Sequence, residues 1–297
     1  VAIVGGGNVA LDLARVLLKD ADEMSRTDIP DRVLDRLRNS AVREVNIFIR
    51  RGVADVKFTP AEVAQIGQLK NVDIFLHDAD VPSAAADIAI DRRVQRNIAH
   101  FQEWAERETG DNGRSVHFWF HCRPLEITGA SGPDAVHVER RPRGDTEPET
   151  SGMRETVPTQ LVIRAIGYDA QPLPGLPFDE SRGIVPNVDG RIVDADTIVA
   201  GHYVAGWIKR GPSGIIGTNK SCANDTVAAV LADLASLATP SSAERSDVLA
   251  TLAGCGVQPT GWQHWTSLDR REQELGRARG SERVKIPDLV SMLASPS

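Results

Sequence analysis

Gly5, Gly7 and Ala10 stand in the order Gly-x-Gly-x-x-Ala, between an apolar run at residues 1–4 and a stretch at 8–20 with helical spacing. In such a strand–turn–helix setting each position has a task. Gly5 permits the tight turn, Gly7 lets the backbone approach a pyrophosphate, and Ala10 allows close helix–strand packing. The helix N-terminus beyond offers unpaired N–H groups and the positive end of its dipole to phosphate. Glycines alone are a weak sign, but this context makes them a dinucleotide fingerprint.

The end of the second strand selects the nucleotide. An acidic residue there suits a ribose 2′-hydroxyl, and arginine suits a 2′-phosphate. The predicted strand at 45–49 runs into Arg50-Arg51-Gly52. Guanidinium gives planar, charge-assisted hydrogen bonds to phosphate, so the pair points to NADP(H). A solvated basic pair at a strand end is the alternative reading. The arginines lie about twice the usual distance from the glycines, and an extra helix near residues 31–37 accounts for it.

Other residues that carry chemistry give weaker signals. Thr59-Pro60-Ala61-Glu62 reads as a helix start, with Thr59 as cap, Pro60 in the first turn and Glu62 closing a capping box. His117, His121 and His137 fall on predicted strands without an evident third ligand, so no metal site is expected. His264, between Trp262 and Trp265, fits packing better than catalysis. Ser213 lies in Gly-Pro-Ser-Gly rather than in a nucleophile elbow. Arg92, Arg93 and Arg96 share one predicted helix; they suit an ordinary charged surface or the docking of an acidic protein. No residue set forms a catalytic triad.

The elements that must position these groups alternate strand and helix. Helices are predicted at 8–20, with Val9, Leu13, Val16 and Leu17 on one side, and from Asp28-Ile29-Pro30 onward, with Pro30 in the first turn and Val33, Leu34 and Leu37 as its stripe. Further strands are expected at 71–76 and 161–168, and a helix at 87–106. Residues 116–121 and 135–139 read as strands of a β insertion, followed by an exposed loop at 140–157. A strand at 203–206, a helix at 219–237 and short helices over the last 60 residues complete the pattern.

The chain has 297 residues, 41% hydrophobic and 25% charged, enough for about two domains of ordinary globular composition. A net charge of −7 argues against a general nucleic-acid role. No apolar run is long enough to span a bilayer. Cys122, Cys222 and Cys255 show no C-x-x-C spacing, which disfavours a thiol redox pair or an iron–sulfur site and fits a reducing cytoplasm. Val1 is not Met and already lies in a strand, so the chain reads as a piece of a longer protein.

Taken in order, the motifs resemble the adrenodoxin reductase-like ferredoxin–NADP reductases over most of the chain. The pieces are Gly5-Gly6-Gly7-Asn8-Val9-Ala10-Leu11-Asp12-Leu13-Ala14-Arg15, Arg50-Arg51-Gly52, Phe58-Thr59-x-x-Glu62, Ala165-Ile166-Gly167-Tyr168 and Gly175-Leu176-Pro177-Phe178-Asp179. The most specific is Gly206-Trp207-Ile208-Lys209-Arg210-Gly211-Pro212-Ser213-Gly214-Ile215-Ile216-Gly217-Thr218-Asn219-Lys220. The resemblance implies an α/β architecture: an NADP(H)-binding Rossmann-like domain at 1–163, then the C-terminal part of a split FAD-binding Rossmann-like domain at 164–297. The family's N-terminal FAD fingerprint is not among these residues, which puts independent catalysis by this stretch in doubt.

By the same resemblance, Gly6, Gly7, Asn8 and Val9 would contact the NADP(H) phosphate and ribose region, and Arg50 and Arg51 the 2′-phosphate. Glu62 would meet the nicotinamide-side portion, a role compatible with its capping reading. Trp207, Gly214, Ile215 and Ile216 would contact FAD, with Gly214 leaving room for nicotinamide; a lone Trp207 would otherwise read as core. The N–H groups at 214–217, capped by Thr218, would face the flavin. Lys209 and Arg210 would be a solvated pair or face an acidic partner. Gln65 stands where the family usually has a second acid. The implied activity is electron transfer from NADPH through FAD to a ferredoxin-type iron–sulfur protein. The competing readings are a reductase subunit of a glutamate synthase-like complex, and an NADP(H)-binding module without turnover.

Overall fold

A computed structural model describes residues 1–77, 79, 81, 91–110, 112–141, 152–214, 216–237, 245–257 and 259–294. It divides into two compact units, Val1–Ile166 with Thr260–Ser297, and Gly167–Pro259. No helix among the described residues is long and apolar enough to cross a membrane.

The first unit opens with β1 (Ala2–Val4), α1 (Asn8–Leu18), the short α2 (Ala21–Met24), α3 (Asp31–Arg38) and β2 (Glu44–Phe48). It continues through α4 (Pro60–Gly67), β3 (Asp73–His77), α5 (Arg92–Ala105) and β4 (Ser115–Trp119). Three antiparallel strands follow, β5 (Cys122–Thr128), β6 (Ala135–Arg140) and β7 (Met153–Pro158), and then β8 (Val162–Arg164). The main sheet is wholly parallel, in the order β3-β4-β2-β1-β8. Chain direction across the sheet reverses between β1 and β8. The crevice outside the carboxyl ends of the strands at such a reversal is where open α/β sheets bind ligands. This is the Rossmann-like α/β architecture the sequence predicts.

Packing explains why the glycine turn sits there. Ala10, Leu11, Ala14 and Leu18 are the buried face of α1, while Val9 and Val16 are 43% and 37% exposed. The predicted stripe through Val9, Leu13, Val16 and Leu17 is therefore rotated. Two alanines let the helix lie close to the sheet, and alanine adds little to a hydrophobic pattern. One core joins Ile3, Leu11, Ile47, Phe58, Ile66, Phe101 and Phe118 beneath α1, α4 and α5. Each large apolar side chain buried here contributes about 1.5–3 kcal/mol. On α3 only Leu34 is buried; Pro30 is the residue before the helix, not in its first turn.

Several elements differ from expectation. β4, predicted as part of the insertion, lies between β2 and β3 in the parallel sheet, because Val116 and Phe118 face the helices and are buried. Part of the expected loop at 140–157 is β7, whose Val157 packs with Val136 and Val138 under the small sheet; residues 142–151 lie outside the described residues. The strand expected at 161–168 is a three-residue edge strand, followed by the exposed Ile166 and Tyr168. The predicted helix at 87–106 starts at Arg92 among the described residues, capped by Asp91.

The second unit contains β9 (Asn187–Val188), β10 (Arg191–Asp194) and β11 (Thr197–Tyr203) in one antiparallel sheet, with α6 (Trp207–Arg210), α7 (Ile216–Asp233) and α8 (Arg245–Gly254). The strand predicted at 203–206 ends at Tyr203, and Val204 to Gly206 form the turn into α6. Arg191 holds Asp233 through two nitrogens at 2.6 and 2.8 Å, joined by the Tyr203 hydroxyl at 2.9 Å. Hydrogen bonds from Arg191 and Tyr203 hold the Asp233 carboxyl below its ordinary range.

The chain then returns to the first unit with α9 (Trp262–Arg279), an 18-residue helix where short ones were expected, and α10 (Leu289–Leu293). Arg279 donates to the carbonyls of Ile29 and Thr27 and pairs with Asp31. Glu272 is buried beside Lys285 and accepts the Ile286 N–H. His264 bonds the Met292 carbonyl at 3.0 Å, joining α9 to α10.

Candidate dinucleotide site

Gly5 leaves β1 with φ +142°. A Cβ there would lie 2.1 Å from the Ala165 carbonyl oxygen beyond β8. Glycine is thus required by the close approach of two strand ends. The backbone closes the turn: the Gly5 N–H donates to Phe48 O at 3.1 Å, and the Ala165 N–H to Val4 O at 2.7 Å. Gly6 packs against Ile49, 3.1 Å from a built Cβ. Gly7 differs from both. It caps α1 in an extended conformation that any residue adopts, and a Cβ on it would meet nothing within 4 Å. Its missing side chain leaves open space at a helix N-terminus, the feature a pyrophosphate requires. Val9, two residues further, is 43% exposed.

Arg50 and Arg51 follow β2 and are exposed. Neither side chain has a hydrogen bond or ion pair among the described residues. The two residues stand at the carboxyl edge of the sheet, after the strand that pairs with the one carrying the glycine turn.

The third piece is laced directly to the turn. The Lys57 N–H donates to Gly6 O at 3.0 Å, and the Thr59 N–H to Asn8 Oδ1 at 2.8 Å. Buried Asn97, on α5, donates to Phe58 O at 2.9 Å. These bonds fix α4, with Pro60 in its first turn as predicted. The predicted capping box does not form. Thr59 makes no side-chain cap, and the N–H that Glu62 would accept is taken by Asn8. One carboxylate oxygen of Glu62, Oε2, is buried without a hydrogen-bond partner among the described residues. A buried carboxylate oxygen left unpaired is costly, so a ligand donor fits it. Gln65 sits one turn further along α4, half-buried. The roles of Asn8 and Asn97 were invisible in sequence because their partners lie 51 and 39 residues away.

In the second unit the long glycine block is largely self-satisfied. Gly206, Gly211 and Gly214 all have positive φ. At Gly214, φ is +85° and a Cβ would lie 2.8 Å from Thr218, so the loop itself demands glycine there. Arg210 donates to the Ser213 carbonyl and to Asn219 Oδ1, tying the loop to α7. Lys209 reaches Thr226 Oγ1 at 3.1 Å and Cys222 O at 3.5 Å. The predicted solvated or partner-facing role for this pair therefore gives way to an internal one. Thr218 lies inside α7, which starts at Ile216, rather than at its cap. Trp207 is 44% exposed and tilts against Tyr168 at 6.0 Å, so it is not plain core. Ile215 and the Ile216 side chain lie outside what the structure describes.

The three histidines considered as ligands do not converge. His117 bonds His77 at 2.9 Å and Ser115 at 2.9 Å, whereas His137 lies in the small sheet between Thr128 and Thr156. Among the described residues no group of three or more His, Cys, Asp or Glu is arranged to hold a metal. Arg92, Arg93 and Arg96 are exposed on α5.

No family model matches the chain. It is 36% identical over 304 residues to the NADPH-ferredoxin reductase FprA of Mycobacterium tuberculosis, covering 98% of this chain. It is 32% identical over 316 residues to the mitochondrial NADPH:adrenodoxin oxidoreductase of Arabidopsis thaliana, covering 99%. A probable ferredoxin/ferredoxin–NADP reductase of Mycobacterium bovis is 38% identical over 305 residues. The chain spans 66%, 65% and 51% of the lengths of these three relatives. The structure of M. tuberculosis FprA in complex with NADPH superposes with a TM-score of 0.83 at 35% identity, over 99% of this chain and 66% of that one. Sequence similarity along almost its whole length and a shared fold together show that the chain belongs to the FprA and adrenodoxin reductase-like family of ferredoxin–NADP reductases.

Proposed function

We propose that this chain holds the NADP(H) site, and part of the FAD site, of a reductase that passes electrons from NADPH to a ferredoxin-type iron–sulfur protein. The observation that carries the reading is a set of unsatisfied groups around one turn. Open space at Gly7, unpartnered Arg50 and Arg51, and the unpaired Glu62 oxygen all lie at the carboxyl edge of one sheet. Backbone N–H groups of Gly7, Asn8 and Val9 bind the pyrophosphate, and the two arginines hold the 2′-phosphate. Glu62 accepts a hydrogen bond from the nicotinamide side.

Residues 1–163 form the NADP(H) domain in this reading, and 164–297 contribute to the FAD domain. Trp207, with its exposed face beside Tyr168, and the backbone around Gly214, Ile215 and Ile216 hold FAD. When bound, that cofactor supplies the conversion of a two-electron donor into single electrons for the iron–sulfur partner. The protein's part is to orient the nicotinamide and exclude water, so no protein nucleophile or acid–base pair is required. Exposed Arg92, Arg93 and Arg96 suit an acidic partner, whose encounter they would speed. Scattered cysteines without a pairing pattern favour a reducing cytoplasm.

The test is NADPH-dependent reduction of cytochrome c through added ferredoxin by the full-length protein. A ferredoxin-stimulated rate is expected, and none would sink the reading. A visible spectrum separates the module alternative: flavin bands accompany an enzyme, whereas a colourless protein that still binds NADP(H) is a module without turnover.

A further inference from the structure

Glu62 is the third residue of α4, and Thr59 is its cap. That spacing normally turns the glutamate back on its own helix, where it accepts the N–H of the capping residue. Here the Thr59 N–H points instead to Asn8 Oδ1 at 2.8 Å. Asn8 stands at the first position of α1, directly after the glycine that opens toward the pyrophosphate. The donor that would have claimed Glu62 is thus supplied with another acceptor, 51 residues away in sequence. Glu62 Oε2 is left buried and unpaired among the described residues. The Lys57 N–H to Gly6 O bond and the Asn97 to Phe58 O bond hold the two residues that lead into Thr59, so the cap is braced from the chain before it.

We propose that Asn8 is a positioning residue: by occupying the Thr59 N–H, it prevents Glu62 from capping its own helix and keeps that carboxylate turned to the nicotinamide side of the dinucleotide. The proposal rests on the NADP(H) reading above. Asn8 acts through an acceptor oxygen, so aspartate can replace it and alanine cannot. In an Asn8→Ala variant the Thr59 N–H loses its acceptor, and Glu62 rotates back to form the capping box that the sequence spells.

Two readouts on the full chain test this. The first needs no nucleotide: the Glu62 side-chain carboxyl is observed by carbon-13 NMR at neutral pH. A carboxylate that gains a charge-assisted N–H bond shifts its carbon-13 resonance. The resonance should therefore move in Asn8→Ala and move back toward the wild-type position in Asn8→Asp. An unchanged resonance in Asn8→Ala overturns the proposal. The second compares NADP+ with 2′,5′-ADP, which lacks the nicotinamide half. In Asn8→Ala, the loss of NADP+ affinity should exceed the loss for 2′,5′-ADP by about fivefold, roughly the value of one hydrogen bond. Glu62→Gln should remove that extra loss when combined with Asn8→Ala. Equal losses for both ligands, or fully multiplying losses in the double variant, would show that Asn8 only supports the turn. If wild-type protein binds neither ligand, the NADP(H) reading falls, while the Glu62 carboxyl resonance still decides whether Asn8 controls the cap.

Discussion

The two glycine-rich turns look alike in sequence and differ in what their neighbours do. Around Gly5–Gly7, polar groups are left over: Arg50, Arg51 and Glu62 Oε2 have no protein partner among the described residues. Around Gly206–Gly214, the charged groups are largely engaged: Arg210 binds Ser213 and Asn219 through its terminal nitrogens and leaves only Nε unpaired among the described residues, and Lys209 binds Thr226 and Cys222. The first turn is an edge of the fold with work still to do. The second is a scaffold whose glycines answer mainly to their own backbone. A glycine motif therefore does not by itself locate ligand chemistry; the unsatisfied polar groups beside it do.

The sharpest way to break this contrast is within the first turn itself. Gly5→Ala places a methyl 2.1 Å from the Ala165 oxygen at φ +142°, so the first unit should lose about 3 kcal/mol or more in urea unfolding. Gly214→Ala, at φ +85° with Thr218 Cβ at 2.8 Å rather than a backbone oxygen at 2.1 Å, should cost the second unit less, about 1–2 kcal/mol. Equal costs would mean that the strand ends near Gly5 are not closely apposed.

Next comes the arginine pair. Arg50→Ala combined with Arg51→Ala should weaken NADPH by about two orders of magnitude, given roughly 1.5–3 kcal/mol for hydrogen bonds to charged groups, and leave NADH nearly untouched. Stability should not change, since neither side chain has a partner to lose. Equal loss of both nucleotides would assign the pair to structure. Arg210→Ala gives the opposite pattern: lower stability of the second unit, with NADPH affinity retained. Gly7→Ala sharpens the comparison at smaller scale. Its backbone is extended and its side-chain space is open, so unfolding should shift by no more than about 0.5 kcal/mol. NADP+ should bind about tenfold more weakly, because the methyl occupies pyrophosphate space.

What was legible in the sequence follows the same division. The turn at Gly5, the exposed place of Arg50 and Arg51 after β2 and the helix start at Pro60 are readable because each depends on near neighbours or on the residue's own backbone. The rotation of α1 was not, since Ala10 and Ala14 pack by being small rather than by being hydrophobic. Nor was the place of β4, because the same alternating pattern serves an insertion strand and a strand inserted between β2 and β3. The return of α9 to the first unit depends on Arg279 reaching Ile29 across 250 residues, and no local spacing records that. The same holds for Asn8. Its side chain reads as a helix-start residue, whereas its acceptor oxygen serves another helix.

A last prediction asks whether a cluster with all its partners in place behaves as structure even on the ligand-binding unit. His117 lies on β4, stacked on Phe75 at 4.6 Å and on His77 at 5.3 Å, with Ser115 Oγ and His77 Nε2 on its two ring nitrogens. Glu44 on β2 lies 4.0 Å away. Burial lowers the His117 pKa below its ordinary value of 6.5; Glu44 works to raise it, and His77 to lower it further. The neutral ring is therefore the form that the fold favours. Its contribution is fully present above pH 6.5 and is lost as the pH falls below that value toward the folded pKa, where the unfolded chain binds the extra proton. The first unit should accordingly lose stability from pH 7 to pH 5.5, and His117→Gln should flatten part of that slope. Trp119 stacks on His77 at 3.8 Å, so its fluorescence during urea unfolding can follow the effect. NADP+ affinity should show no matching change in slope between wild type and variant. A shift in binding without one in stability would place His117 among the groups with work still to do, and would break the division drawn between the two turns.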